Sequence, residues 1–321
     1  MTQSVLSKSL FWSVSGAWSA LSASARYFAR EGWVKRDRLD VTRVISVGNI
    51  QVGGAGKTPL AALIAREAHE RGLKTCLLCR GYGSAWEVSG GVIGPGEKCP
   101  DTGACGDEAA LLHELAPHAW IGVGADRARQ FEQVVARAGT KPDLAVLDDG
   151  FQNWKIHKDL EIVALTSTPR TQVLYRDAWR SLEFADLLVW TKGDVALKEL
   201  PRKPCVRVKF LLPKATRSIS ICLVTGLGDG AEAARCAMDA GYEIKQHLSF
   251  PDHARYEKEM VHRILKEASG TGWGVALSGK DWVKWRELDV RAEQVIVLEP
   301  EIVFLEEPEG RAVWNRILWG G

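Results

Sequence analysis

The chain has no uninterrupted apolar run of membrane-spanning length, no excess of one charge and no cysteine framework. An apolar-rich stretch lies in the first thirty residues, and Ser7, Lys8, Ser13, Ser15 and Ser19 break it, which argues against a full bilayer crossing. Net charge is only +2 over 321 residues, so a large nucleic-acid footprint is not expected. The seven cysteines are odd in number and irregularly spaced. Cys76 and Cys79 form a C-x-x-C pair, but inside Thr75-Cys-Leu-Leu-Cys-Arg80, which reads as a buried strand; a redox pair normally sits at a helix start. Cys99 and Cys105 lie in a glycine-rich loop without two further metal ligands nearby. This usage fits a reducing cytoplasm. No internal repeat and no low-complexity tract interrupts the chain.

What the sequence does contain is the composition of a folded protein, 46% hydrophobic and 26% charged, with length for two domains. Tryptophan is abundant at thirteen, and Trp12, Trp18 and Trp33 fall near the start. There Leu10, Val14, Ala17, Leu21, Ala25 and Phe28 recur at helical spacing, followed by Arg26, Arg30, Lys35, Arg36 and Arg38. One reading is an amphipathic helix lying in a bilayer surface, with tryptophans at headgroup level and basic residues on anionic lipid. The other is an ordinary helix packed on the core.

The most informative segment is Val44-Ile-Ser-Val-Gly-Asn-Ile-Gln-Val-Gly-Gly-Ala-Gly-Lys-Thr-Pro59, an apolar strand, a glycine-rich turn and a helix start. Gly53, Gly54, Ala55 and Gly56 supply backbone N–H groups that can close around a polyphosphate, Lys57 neutralises outer phosphates, and Thr58 can hold a magnesium ion. Gln51 stands where the common motif has its first glycine. A nucleoside triphosphate is the expected ligand.

From Val41 to Trp190 short apolar runs alternate with helical patterns, which predicts an α/β fold: a P-loop-containing, mostly parallel sheet with helices on both faces. Ligands bind at the carboxyl ends of such strands, where the glycine loop, Arg80, Asp148 and Lys192 all fall. A linker with Pro201, Pro204 and Pro213 precedes a second, smaller α/β unit. The expected division is a membrane-association segment at 1–35, a kinase core at 36–212, and a cleft-closing domain at 213–321.

Several clusters could carry chemistry. Asp148 and Asp149 end an apolar strand, the position of a magnesium-binding carboxylate, although Asp-Gly also suits a turn. Asp107 and Glu108 open a helix, where acids suit the positive end, and position alone assigns them nothing more. Asp252 and His253 precede another helix; Asp252 reads as its cap. Thr191-Lys-Gly-Asp194 resembles the pattern by which some GTPases read guanine, which motivates a GTP-binding switch as an alternative; a soluble small-molecule P-loop kinase is another.

The order of these segments is similar to that of the tetraacyldisaccharide 4′-kinase family of lipid A biosynthesis. The matching stretches are Gly48 to Pro59, Arg80-Gly-Tyr-Gly83, Gly106-Asp-Glu108, Val123-Gly-Ala-Asp-Arg127, Asp148-Asp-Gly-Phe-Gln152, Ala185-Asp186 with Thr191 to Asp194, Phe250-Pro-Asp-His253 and Lys280-Asp-Trp-Val283. The resemblance implies ATP- and Mg2+-dependent phosphorylation of the 4′-hydroxyl of a tetraacylated glucosamine disaccharide 1-phosphate. It implies a lipid substrate presented at the cytoplasmic face of the bacterial inner membrane, with no obligate protein partner. It implies Asp107 as catalytic acid–base with His253 as partner, Lys57 on the phosphates, and Thr58, Glu108, Asp148 and Asp149 around the metal. Arg80, Gln152 and Asp177 are implied as further active-site polar groups. The family's Arg-Glu-Pro appears here as Arg176-Asp-Ala178, its proline after Gly-Asp-Glu as Ala109, and its histidine after Asp-Asp-Gly-x-Gln as Asn153.

Overall fold

In the computed structural model the apolar runs assemble into two sheets. The structure describes residues 35–51, 54–167, 175–193, 200–215 and 218–320, with Ser24, Tyr27, Phe28, Gly32 and Trp33. The expected N-terminal membrane helix, Gly53 and Asp194 lie outside the described residues. Among the described residues no helix is long and apolar enough to cross a membrane.

The first sheet is built on β1 (Arg43–Asn49), β2 (Thr75–Cys79), β3 (Gly91–Ile93), β4 (Trp120–Val123), β5 (Leu144–Asp148), β6 (Leu160–Thr166), β7 (Leu187–Lys192), β8 (Cys205–Leu211) and, last in the chain, β13 (Glu301–Phe304). The strand order is β13-β8-β7-β6-β1-β5-β2-β4-β3. All neighbours pair in parallel except the two outermost, where β3 and β13 run antiparallel to β4 and β8. β1 lies between β5 and β6, neither of which adjoins it in sequence, so the sheet reverses its direction of winding there.

Both faces of β1 are covered, so its residues from Val44 to Asn49 are buried, the polar Ser46 and Asn49 among them. Alternate residues go to opposite layers, as the two-residue strand period requires. Ile45 and Val47 pack with Leu60, Ala61 and Ile64 of α1 (Lys57–Glu70). Val44 packs instead with Phe131 and Val134 of α5 (Arg127–Ala138), whose first turn is capped by Asp126 accepting from Arg129 N–H. The glycine-rich stretch from Gly81 to Gly106 holds α2 (Trp86–Ser89), β3 and α3 (Thr102–Cys105), elements too short to leave a periodic signal. α4 (Asp107–Leu115) follows directly. Cys76 and Cys79 lie buried in β2 as free thiols.

The second sheet is parallel, in the order β10-β9-β11-β12, from β9 (Ile219–Thr225), β10 (Tyr242–Ser249), β11 (Gly274–Ser278) and β12 (Val295–Leu298). Its connections include α6 (Gly230–Asp239), α7 (Lys258–Thr271) and α8 (Gly279–Trp285). Val224, Tyr256, Val261, Leu277 and Trp285 form its core. The chain then returns to the first sheet. Residues 301–319, read from sequence with the second unit, contribute β13 and α9 (Glu309–Trp319) to the first. Glu67 of α1 secures that return, accepting from Arg311 Nη1 at 2.6 Å, Trp314 Nε1 at 2.9 Å and Trp319 Nε1 at 2.8 Å. The two units also meet through Arg286 paired with Glu114, and through Glu287, which accepts from the Thr102 N–H at 2.6 Å and its hydroxyl at 3.1 Å.

Candidate active site

The carboxyl ends of β1, β2, β5 and β7 open into a cleft of about 1670 Å³ lined by both units. The turn between β1 and α1 forms its floor. Gly56 there adopts φ +73°, the left-handed conformation that favours glycine, and a Cβ would sit 2.3 Å from the ring of Phe210 on β8. Gly54, Ala55 and Gly56 line the cleft beside Lys57 and Thr58. The turn is braced from below. Thr191 Oγ1 lies 3.1 Å from the carbonyls of Ala55 and Leu165. The Gln51 side chain exchanges hydrogen bonds with the Thr166 backbone, accepting from its N–H at 2.9 Å and donating to its carbonyl at 3.1 Å. Gln51 therefore fastens the turn to β6 in the place where the common motif has glycine. Thr191, read in sequence as part of a guanine-reading motif, instead supports this turn.

Asp148 and Asp149 stand beside it. The Thr58 hydroxyl donates to Asp148 Oδ2 at 2.9 Å, while buried Asp148 Oδ1 has no hydrogen-bond partner. Burial, reinforced by Glu108, pushes the Asp148 carboxyl up to about 7 against the opposing pull of Lys57. Asp149 has φ +53°, a strained conformation for a non-glycine residue. Its Oδ1 is 3.7 Å from Lys57 Nζ, and its Oδ2 accepts from Arg176 at 2.6 Å. Burial raises the Asp149 carboxyl, but Lys57 and Arg176 outweigh it and hold the group below its ordinary range. Glu108 is raised, first by burial and then by Asp149 and Asp107.

Of the four expected metal residues, Thr58 and Asp148 are hydrogen-bonded, and Asp149 and Glu108 act on Asp148 electrostatically. Among the described residues no three His, Cys, Asp or Glu side chains form a ready metal cage. An orphaned, buried carboxylate oxygen beside a threonine hydroxyl suits a hard cation that takes its remaining ligands from phosphate and water.

At the junction of the two units, buried Asp107 opens α4 after Gly106, which has φ +90°. Its Oδ2 meets three groups from the second unit: His253 Nδ1 at 2.9 Å, Lys284 Nζ at 3.3 Å and Lys280 Nζ at 3.6 Å. Burial raises Asp107, and Lys280, Lys284 and His253 together overcome it, so the carboxyl lies below its ordinary range. His253 has φ +59°. Its Nε2 lies 3.5 Å from Lys280 Nζ and 3.8 Å from Asp252 Oδ2. Lys280 also pairs with Asp252 at 2.8 Å.

Arg80 lines the cleft, with Nε donating to Glu87 at 2.7 Å, and Gln152 donates to the Asn49 carbonyl at 2.9 Å. Asp177 is different. It is fully buried, accepts from the Ala178 N–H at 2.9 Å and is not among the cleft-lining residues, whereas its neighbour Arg176 is. Sequence reasoning missed Arg176 and Lys284. Arg176 stood in the Arg176-Asp-Ala178 segment, but the resemblance pointed to Asp177 beside it. Lys284 carried a local signal: it lies four residues after Lys280, on the same face of α8.

A family model described as tetraacyldisaccharide-1-P 4′-kinase matches residues 7–318. The tetraacyldisaccharide 4′-kinase of Geobacter metallireducens is 31% identical over 265 residues, covering 75% of this chain and 78% of its own. That of Sinorhizobium fredii is 27% identical over 321 residues, covering 92% and 90%. The crystal structure of LpxK from Aquifex aeolicus, in complex with ATP, shares the fold with a TM-score of 0.72 at 23% identity, over 97% of this chain and 99% of that one. The chain belongs to the tetraacyldisaccharide-1-P 4′-kinase family.

Proposed function

We infer that this chain transfers the terminal phosphate of ATP to the 4′-hydroxyl of tetraacyldisaccharide 1-phosphate. The observation that carries the reading is the meeting of two groups: the Lys57–Thr58 helix start beside Asp148 and Asp149, and buried Asp107, which is bonded to cleft-lining His253 and directly precedes cleft-lining Glu108. The phosphate chain lies along the Gly54–Gly56 amides and Lys57. Thr58 and Asp148, with Asp149 and Glu108 adjacent, would hold Mg2+. When bound, that ion neutralises charge on the phosphates. Asp107 accepts the proton of the acceptor hydroxyl as its oxygen bonds to the γ-phosphorus and the bond to ADP breaks. His253 donates to Asp107 and fixes the orientation of its carboxylate. The second unit closes the cleft against water.

The lipid substrate carries four acyl chains, which supports work at the cytoplasmic face of the inner membrane. Residues 1–35, apolar and basic in sequence, provide the surface anchor. Deleting them abolishes sedimentation with anionic vesicles; unchanged sedimentation defeats the anchor.

The direct test is incubation with ATP and tetraacyldisaccharide 1-phosphate, followed by mass measurement of the lipid. The expected product has gained one phosphate. Tight preference for GTP with no lipid product would favour the switch reading instead.

A further inference from the structure

We propose that Lys284 is a positioning residue for Asp107, tying its carboxylate to the loop that carries His253. The inference rests on the reading of Asp107 as the base that accepts the substrate proton. Asp107 belongs to the first unit and His253 to the second, 146 residues apart, so their alignment depends on how the two units meet. Lys284 spans that junction. Its Nζ lies 3.3 Å from Asp107 Oδ2 and donates at 3.2 Å to the carbonyl of Ala254, the residue after His253. One ammonium thus joins the carboxylate to the backbone of the histidine loop. An ammonium suits that task because it has three donors and no acceptor.

The neighbouring lysine makes a second, looser link to the same loop, through Asp252 and His253 Nε2. Lys280 is further from Asp107 Oδ2, at 3.6 Å, and makes its shorter contact, 2.8 Å, with Asp252. Both Lys284 and Asp107 are nearly closed off, their side chains 10% and 8% exposed, so the pair is shielded from water. The stem of Lys284 leaves a rigid base. Val283 and Trp285 on either side are fully buried, and α8 is capped by Ser278, which accepts from Asp281 N–H. The three donors all converge on Oδ2. That leaves Oδ1 to accept from the substrate hydroxyl.

The test uses the full-length enzyme as Lys284→Met, Lys284→Arg, Asp107→Asn and the double variant Asp107→Asn/Lys284→Met. Methionine keeps most of the length and donates nothing. Lys284→Met is expected to lower kcat by about 10–100-fold while leaving KM for ATP within about twofold. Lys284→Arg, which can still donate to both acceptors, restores part of the loss. In the Asp107→Asn background, Lys284→Met removes less than about threefold more, because its effect passes through Asp107. Parental kcat in Lys284→Met overturns the proposal, as does an equal loss with and without Asp107. Melting curves establish that each variant is folded; if Lys284→Met is not, Lys284→Gln is read by the same criteria. An inactive Asp107→Asn beside an intact Lys284→Met overturns this proposal alone, whereas parental kcat in Asp107→Asn overturns the reading of Asp107 as well.

Discussion

Replacing Asp281 with alanine tests how the second unit holds α8 and its two lysines. Asp281 is fully buried. Its carboxylate accepts from the Gly226 N–H at 3.0 and 3.1 Å, from the Tyr256 hydroxyl at 2.7 Å and from the Ser278 hydroxyl at 2.6 Å. Burial and the adjacent carboxylate hold the Tyr256 phenol far above its usual range, so it remains a donor. Alanine strands the Gly226 and Tyr256 donors in a dry site, at about 1–3 kcal/mol each. Ser278 can turn toward water. The expected loss is about 4 kcal/mol, from two stranded donors at that cost. Urea unfolding followed by far-UV circular dichroism measures it. Tyr256→Phe removes one of the stranded donors in advance. The double variant should therefore cost about 1–3 kcal/mol less than the sum of the single ones. A loss below about 1 kcal/mol, or strict additivity with Tyr256→Phe, would refute the claim that this network holds α8.

Glu299 faces the junction of the units, and burial, aided by Glu114, raises its carboxyl from 4.5 to about 7. The folded state then binds the extra proton between those values, so this group's contribution to stability falls as pH rises from 4.5 to 7. Glu299→Gln should be more stable than the parent by about 2 kcal/mol above that window and equal to it below, as read from paired unfolding curves; a constant difference across pH would contradict this. Glu67→Ala unpairs Arg311, Trp314 and Trp319 and should cost about 3 kcal/mol without altering kcat. An unchanged melting temperature would show that α9 does not depend on this latch. Gly56→Ala forces a side chain into left-handed backbone and against Phe210, so KM for ATP should rise by about tenfold or more, and an unchanged KM would show that the turn can relax.

Local pattern revealed the elements whose physics is local. β1 was legible because a strand covered on both faces is mostly apolar, as Val44, Ile45 and Val47 are, and α4 because acidic residues open it and apolar residues follow at helical spacing. The phosphate-binding turn was legible because its glycines, Lys57 and Thr58 are contiguous. β8 escaped notice between Pro204 and Pro213. Its pairing is set by β7 on one side and by β13, nearly a hundred residues later, on the other. Asp177 was placed among the site residues by resemblance, yet packing buries it and turns Arg176 toward Asp149.

The sequence by itself therefore determined the alternation that makes a parallel sheet and the turn at its centre, since each depends on residues close in the chain. The resemblance had paired His253 with Asp107, but tertiary structure alone decided that two lysines join them. Lys280, Lys284 and His253 reach it only because the second sheet docks α8 and the His253 loop against the start of α4. No periodicity encodes that meeting, because it depends on how two separately packed cores fit together.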